Sequence, residues 1–195
     1  MTDSGTRPHW GLDYDAAQFI ALPPAEAPAS EGDAWVDAAV AHYEGGAEPL
    51  TDQDRAALQV TARAVLSMVE PYITRLWFAP PGLYSDVLVS IVLTPAVGET
   101  ADELIAQVTG DLGATSPDAV MVETTSHGSG LLVRRTSGVQ PENAQALLVA
   151  QWDLLLRDGG VLIAVNAMGT TMPAFALLEG ELAGLVDGIR LGAED

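Results

Sequence analysis

The side chains able to do chemistry gather in few places along this chain. His127-Gly128-Ser129-Gly130 puts an imidazole, a hydroxyl and flexible backbone N–H groups within four residues. A serine nucleophile of the elbow type needs G-x-S-x-G between a strand and a helix, where the strained turn exposes the hydroxyl. Ser129 instead has a glycine immediately on each side and lies between two segments of strand period, so a hairpin turn is expected there. A phosphate-binding nest finds little support, since neither a lysine nor a following helix start completes it. His9, Asp13 and Asp15 could offer nitrogen and oxygen to a metal, but they sit in a stretch expected to fray, and His9, His42 and His127 share no metal-ligand spacing. Arg134 and Arg135 are neighbours on a predicted strand and leave opposite faces. Arg135 shares its face with Leu131 and Val133, and a carboxylate such as Glu123 across the hairpin is its expected partner. It is either a structural ion pair or an anchor for an anionic ligand. Glu179, Glu181 and Asp187 read as the wet side of a helix, and no two carboxylates stand out as an acid–base pair. The expectation is therefore no catalytic residue, no metal ligand and no cofactor, hence no enzyme.

Composition narrows the partners. Twenty-seven acids against eight bases give a net charge of −19, which repels phosphate backbones and acidic membrane surfaces, so neither nucleic acid nor membrane is an expected partner. All eight bases are arginine, as a GC-rich genome favours, and a halophile, the other common source of such acidity, would not keep 48% apolar residues. No run approaches the ~20 apolar residues that span a bilayer, and the start Met1-Thr-Asp-Ser-Gly lacks the order of a secretory signal, so the cytoplasm is the expected location. With no cysteine there is no disulfide, thiol nucleophile or cysteine-ligated metal.

The elements that must position these groups are clearest at the C-terminal end. From Leu147 to Leu156 apolar residues alternate, with Leu148, Ala150, Trp152, Leu154 and Leu156 predicted to face a core. Asp158-Gly159 suits a two-residue hairpin turn. That turn sets Arg157 opposite Gly160, Leu156 opposite Val161, Leu154 opposite Ile163, Trp152 opposite Val165 and Ala150 opposite Ala167; on the other face it pairs Leu155 with Leu162, Asp153 with Ala164 and Gln151 with Asn166. Thr170 or Thr171 can cap the next helix, with Pro173 in its first turn. Phe175, Leu178, Leu182, Leu185, Val186 and Ile189 share one helical face. Gly180, Gly184 and Gly188 form a stripe roughly opposite. Each costs an exposed helix ~1 kcal/mol against alanine, so the stripe is either a weakly selected solvent face or a seam for close approach of another helix or chain.

Upstream, residues Met1 to Asp13 read as a loose terminus and Tyr14 to Leu22 as a strand, followed by a Pro/Ala linker to Gly32. Asp33 to Tyr43 is a short predicted helix with Trp35, Ala38, Ala39 and His42 at helical spacing. Thr51 caps a second helix whose core face is Leu58, Ala62, Val65 and Val69, ended by Pro71. Ile73 to Phe78 and Asp86 to Thr94 read as strands around Ala79-Pro-Pro-Gly. Thr100 and Glu103 form a capping box for a helix carrying Leu104, Val108 and Leu112 and ending near Gly113. Ala119 to Thr125 and Leu131 to Thr136 make a hairpin across Ser126-His-Gly-Ser-Gly. Strands joined so closely must be antiparallel, so the fold class is α/β of the α+β kind: a central antiparallel β-sheet flanked by helices. Residues 1–50 are expected as an N-terminal extension packed on a domain of residues 51–195. Trp77 adjoins Phe78, so one of the two meets each sheet face; with a face bare, Trp77 would belong to an apolar contact patch.

Three segments resemble a known family. They are Val87-Leu-Val-Ser-Ile-Val-Leu-Thr94 leading into Thr100-Ala-Asp-Glu-Leu, the strand Gly130-Leu-Leu-Val-Arg-Arg135, and the Ala150-Gln-Trp152 hairpin with its helix to Arg190. Their order is similar to that of the Mog1/PsbP-like α/β/α sandwiches, especially uncharacterised actinobacterial members. The resemblance implies a binding and scaffolding fold with divergent partners and carries no catalytic motif. A non-enzymatic module that binds a protein partner or its own copy is thus the expected function, with Arg135, Trp77, Gly180, Gly184 and Gly188 as candidate contacts. The alternatives are a small-ligand pocket between sheet and N-terminal helices near Arg135, and an enzyme with an unrecognised site.

Overall fold

The computed structural model describes residues 9–45, 49–96, 118–139 and 146–192, and among these the chain forms nine strands and three helices. In chain order they are β1 (Trp10–Leu12), β2 (Phe19–Ala21), α1 (Ala29–Glu44), α2 (Asp52–Leu66), β3 (Thr74–Phe78), β4 (Leu88–Pro95), β5 (Asp118–Thr124), β6 (Gly128–Val139), β7 (Leu147–Asp158), β8 (Val161–Gly169), α3 (Met172–Asp187) and β9 (Ile189–Leu191). Seven strands build one antiparallel sheet in the order β2-β3-β4-β8-β7-β6-β5, and β1 pairs with β9 in a small second sheet. The protein is of the α+β class with a large antiparallel sheet. The helix expected between Thr100 and Gly113 lies outside the described residues.

Side-chain alternation decides what each sheet face buries. Leu154, Leu156, Ile163, Val165, Ile91, Leu76 and Phe78 point to one face, where Phe175, Leu178, Leu182 and Leu185 of α3 cover them. Trp152 packs on Phe175 with ring centroids 5.1 Å apart, as its register requires. Trp77 points the other way, into a second core built with Val36, Ala39 and Val40 of α1 and Leu58 and Ala62 of α2. Its indole N–H donates to the Ser85 carbonyl at 2.8 Å, and the Tyr43 phenol, pushed up in pKa by burial, donates to the same oxygen at 3.5 Å.

The β7–β8 turn falls one residue later than expected. Asp158 pairs with Val161, so Gly159-Gly160 makes the loop, with φ +55 at Gly159, its first central residue. Two adjacent glycines turn more freely than Asp-Gly. The register moves by two residues, so both faces keep their residues: Leu154 faces Val165 and Leu156 faces Ile163. The shift also sets Asp153 opposite Asn166 instead of Ala164, and the Asn166 amide donates to the Asp153 carboxylate at 2.7 Å.

Several upstream boundaries also differ. Trp10–Leu12 is ordered by pairing with Ile189–Leu191, so the expected loose terminus holds a strand. The expected strand from Tyr14 shrinks to β2, because Asp15 folds a turn: its side chain accepts from the Ala17 N–H at 2.8 Å and its carbonyl from the Phe19 N–H at 2.9 Å. Helix α1 begins at Ala29, inside the expected linker, with Pro28 at its N-cap. Its core face is Gly32, Val36, Ala39 and Val40; a Cβ on Gly32 would stand 2.9 Å from a Leu66 methyl, so glycine permits this close approach of α1 to α2. Trp35 and His42 bond the chain instead, to the Ala21 carbonyl at 2.6 Å and the Ala79 carbonyl at 2.9 Å. Thr51 caps α2 through a capping box with Asp54.

Thr171 occupies the N-cap of α3 but makes no side-chain cap bond. The cap comes from Asp86, just before β4. Its carboxylate accepts from the Thr170 N–H at 2.9 Å, the Thr171 N–H at 2.8 Å and the Thr170 hydroxyl. Burial alone would raise the Asp86 pKa, but these donors outweigh it and hold the carboxyl below its ordinary value. Gly169 leaves room for it: a Cβ there would meet an Asp86 oxygen and the Val87 Cα, both at 3.0 Å.

Candidate functional site

The tightest cluster of reactive side chains forms at one end of the sheet, around His127. The β5–β6 loop is shorter than expected, Thr125 to His127, because Thr124 pairs with Gly128, which takes φ +75. The buried imidazole then joins three parts of the chain. Nδ1 lies 2.8 Å from the Asp158 carboxylate at the end of β7, and Nε2 lies 2.9 Å from the Ile189 carbonyl of β9. Both partners are acceptors, so satisfying both bonds takes an N–H on each ring nitrogen or a proton on Asp158. Next to it the Ser126 N–H donates to Asp187 at 2.7 Å. Burial opposes that carboxylate, but the Ser126 and Thr125 donors hold its pKa below the usual range.

Ser129 donates to the Glu123 carboxylate, at 2.7 and 2.8 Å from its two oxygens, and both ring nitrogens of His127 are engaged by Asp158 and Ile189, so the hydroxyl and the imidazole are not bonded to each other. The imidazole is a three-way clasp holding β9, and through it β1, against the sheet end. Nor do the other terminal ligands converge. Asp13 pairs with Arg190 at 2.7 Å, Asp15 serves its turn, and the His9 carbonyl accepts from the Gly192 N–H at 2.7 Å. Among the described residues no group of three or more His, Asp or Glu is placed to hold a metal ion.

Arg135 is partly buried and does pair with a carboxylate, but with Asp153 on β7 and not with Glu123. The β5–β6 register explains the difference, since it sets Glu123 opposite Ser129. Asp153 gathers Arg135, Gln151 and Asn166, which extends a row of polar residues across adjacent strands to Ser90 and Arg75. One N–H of each arginine, Arg135 Nε and Arg75 Nη1, has no hydrogen-bond partner, yet both atoms are sealed from solvent and so offer nothing to a ligand from outside. Trp77 is fully buried, so it belongs to the second core and to no surface patch.

The glycine stripe divides. A Cβ on Gly180 or Gly184 would meet nothing within 4 Å, whereas one on Gly188 would lie 1.9 Å from the Asp13 carbonyl oxygen. Gly188 is therefore a seam for the chain's own N-terminal segment, whose Asp13 N–H bonds the Gly188 carbonyl at 2.8 Å.

A surface that sequence reading missed is the overhang of the β6–β7 hairpin. Among the described residues β5 pairs as far as Arg134 and β8 as far as Ala150, while β6 and β7 continue together to Val139 and Leu147. Thr136–Val139 and Leu147–Val149 thus form a two-stranded ribbon that pairs, among the described residues, only with itself. Val139, Leu147 and Leu148 are 47%, 48% and 59% exposed, and Val139 pairs directly with Leu147. The other sheet edges are defended: β5 carries Asp118 and Glu123, and β2 is three residues long. No described helix is long and apolar enough to cross a membrane. No family model matches the chain, and no curated protein matches it.

Proposed function

We propose that the chain is a non-enzymatic binding module that self-associates through the ribbon of β6 and β7. The observation that carries this reading is an overhang whose backbone edges pair with no other strand among the described residues, together with three half-exposed apolar side chains. The ribbon residues 136–139 and 147–149 also bear no charge, in a chain of net charge −19. Two such copies repel almost everywhere, so an uncharged strip is where they can meet; a foreign partner suited to the rest of the surface would be basic. Antiparallel joining of two ribbons across a twofold axis would pair the N–H and C=O groups of these edges and cover part of the apolar side chains. The resemblance to the Mog1/PsbP-like sandwiches, a fold with divergent binding partners, is in keeping with this reading.

Leu147 and Leu148 leave opposite faces of β7, so edge-to-edge joining covers each apolar side chain only in part, roughly 0.5 kcal/mol apiece, and new backbone hydrogen bonds supply the rest. After the cost of association the dimer is weak, with a Kd on the order of 1 mM. Sedimentation velocity up to ~1 mM protein tests it at two ionic strengths, ~20 and ~500 mM, where the screening length falls below ~5 Å. Self-association should strengthen with salt, whereas binding of a basic partner would weaken. Leu147→Glu with Leu148→Glu should abolish it while leaving the circular dichroism spectrum intact. A wild type that stays monomeric at high salt, or a double variant that dimerises equally well, would refute the proposal.

A further inference from the structure

A cavity of about 320 Å³ opens between two stretches of chain at the opposite end of the sheet order from β5. One stretch, Pro23 to Glu26, leads from β2 toward α1; the other, Val69 to Thr74, leads from α2 into β3. Its volume lies at the lower end of the range usual for small-ligand sites, about 300 Å³ and above. Trp10, Leu22, Pro24, Pro71 and Ile73 supply its apolar wall, beside the polar Glu26, Glu70, Thr74 and Arg75. Tyr72, 78% exposed, adds a second aromatic residue at the rim, held at φ 69, a left-handed backbone that non-glycine residues rarely adopt.

Charge selects among possible occupants. Glu70 and Arg75 both line the cavity, but they neutralise each other, Arg75 Nη2 standing 3.0 Å from Glu70 Oε1. The Nε of Arg75 is also engaged, donating to Ser90 Oγ at 3.2 Å. Glu26 is different. It is exposed, it lines the same cavity, and it carries no hydrogen bond or ion pair among the described residues. The cavity therefore combines an indole, a phenol and proline walls with one uncompensated negative charge. An adjoining cavity of about 280 Å³ shares Pro23, Pro24, Ala25 and Val69 with it and adds a second unpaired carboxylate, Asp33. An anionic ligand is disfavoured on both sides, and a cation gains an attraction to Glu26 that an uncharged apolar ligand does not.

We infer that the cavity binds an organic ammonium ion with a compact alkyl body. Aromatic faces attract such cations through the ring quadrupole, a preference that survives when alkyl groups block hydrogen bonding. Glu26 supplies the counter-charge, and the prolines cover the alkyl groups without losing side-chain freedom on binding. The ammonium can belong to a small free molecule or to a lysine side chain on a protein, and the two differ in what surrounds the charge.

Titration of the full chain with choline and with 3,3-dimethylbutan-1-ol, its uncharged isostere, isolates the charge. Binding is followed by the indole N–H resonances in nitrogen-15 spectra, with Trp10 assigned by a Trp10→Phe variant. Choline should shift the Trp10 signal and bind about tenfold or more tighter than the alcohol. Glu26→Gln should remove most of that preference, while Glu181→Gln, which takes the same charge from α3, should leave it unchanged. N-acetyl-lysine amide is the second cationic probe: tighter binding than choline assigns the site to a lysine-bearing partner, weaker binding to a free molecule. Equal binding of choline and the alcohol, no Trp10 shift at ~50 mM of either, or equal losses in Glu26→Gln and Glu181→Gln would overturn the inference; the last would reduce it to diffuse attraction by an acidic protein.

Discussion

Replacing Asp86 by asparagine should detach the start of α3 from the sheet, at a cost that follows from the bonds it makes. The carboxylate accepts from two backbone N–H groups and one hydroxyl of Thr170 and Thr171, the two residues that lead into α3, more than 80 residues away in sequence. Losing a helix cap costs roughly 1 kcal/mol, and hydrogen bonds to a charged acceptor contribute ~1.5–3 kcal/mol each, though not additively. Asparagine keeps one acceptor oxygen and adds two N–H groups, so a net loss of about 2–3 kcal/mol is expected, or roughly 5–10 °C in melting temperature for a domain of this size. The pH dependence follows from the direction of the pKa shift. Folding depresses the Asp86 pKa, so its contribution is complete above the unfolded-state value of ~4 and disappears as pH falls through the lower folded-state value. Urea titrations followed by circular dichroism at pH 7, and at successive steps below pH ~4, measure the gap between wild type and Asp86→Asn. The gap should be full at pH 7 and should close as Asp86 protonates. A gap below ~0.5 kcal/mol at pH 7, or one that persists unchanged into acid, would show that the carboxylate does not cap α3.

Other substitutions separate the remaining claims. His127→Ala removes both ring bonds and leaves the Ile189 carbonyl and Asp158 without that partner, so it should destabilise by ~2–4 kcal/mol and raise hydrogen exchange first in β9 and β1; uniform exchange increases would contradict the clasp. Gly180→Ala and Gly184→Ala enter open space on a helix and should each stabilise by up to ~1 kcal/mol. Gly188→Ala must displace the Asp13 backbone, so it should destabilise and release β1, seen as faster exchange at Trp10–Leu12; three alanines of the same sign would refute the division of the stripe.

What could be read from the sequence was local. Alternation placed Trp152, Leu154 and Leu156 on the α3 face, and the helix pattern from Phe175 to Val186 named the residues that cover them, because period and burial are set by neighbours in the chain. The β7–β8 turn was misplaced since both Asp158-Gly159 and Gly159-Gly160 can turn; a two-residue slip preserves every face, so alternation could not choose between them. Partners distant in sequence were not legible. Strand β1 looks like a frayed terminus until Ile189–Leu191 is beside it, and Asp86 reads as a strand residue until Thr170 and Thr171 arrive. Arg135 was rightly expected to meet a carboxylate, but choosing Asp153 over Glu123 takes the registers of two hairpins. The ribbon was hidden for a related reason: an overhang is a difference between strand lengths, and β8 ends at Gly169, opposite Ala150, while β7 begins at Leu147.

Self-association through the ribbon is the central claim, and the absence of cysteine permits a direct test by site-specific labelling. A spin label on Ser137→Cys, in the exposed ribbon, reports distances between copies; a label on Glu181→Cys, on α3, serves as the reference. At high salt and ~1 mM protein, the Ser137 label should give an intermolecular distance within about 25 Å, a few strand spacings, that disappears on dilution and in Leu147→Glu with Leu148→Glu, while the Glu181 label should give a longer one. Associated copies in which the Glu181 labels lie close and the Ser137 labels far apart would contradict it.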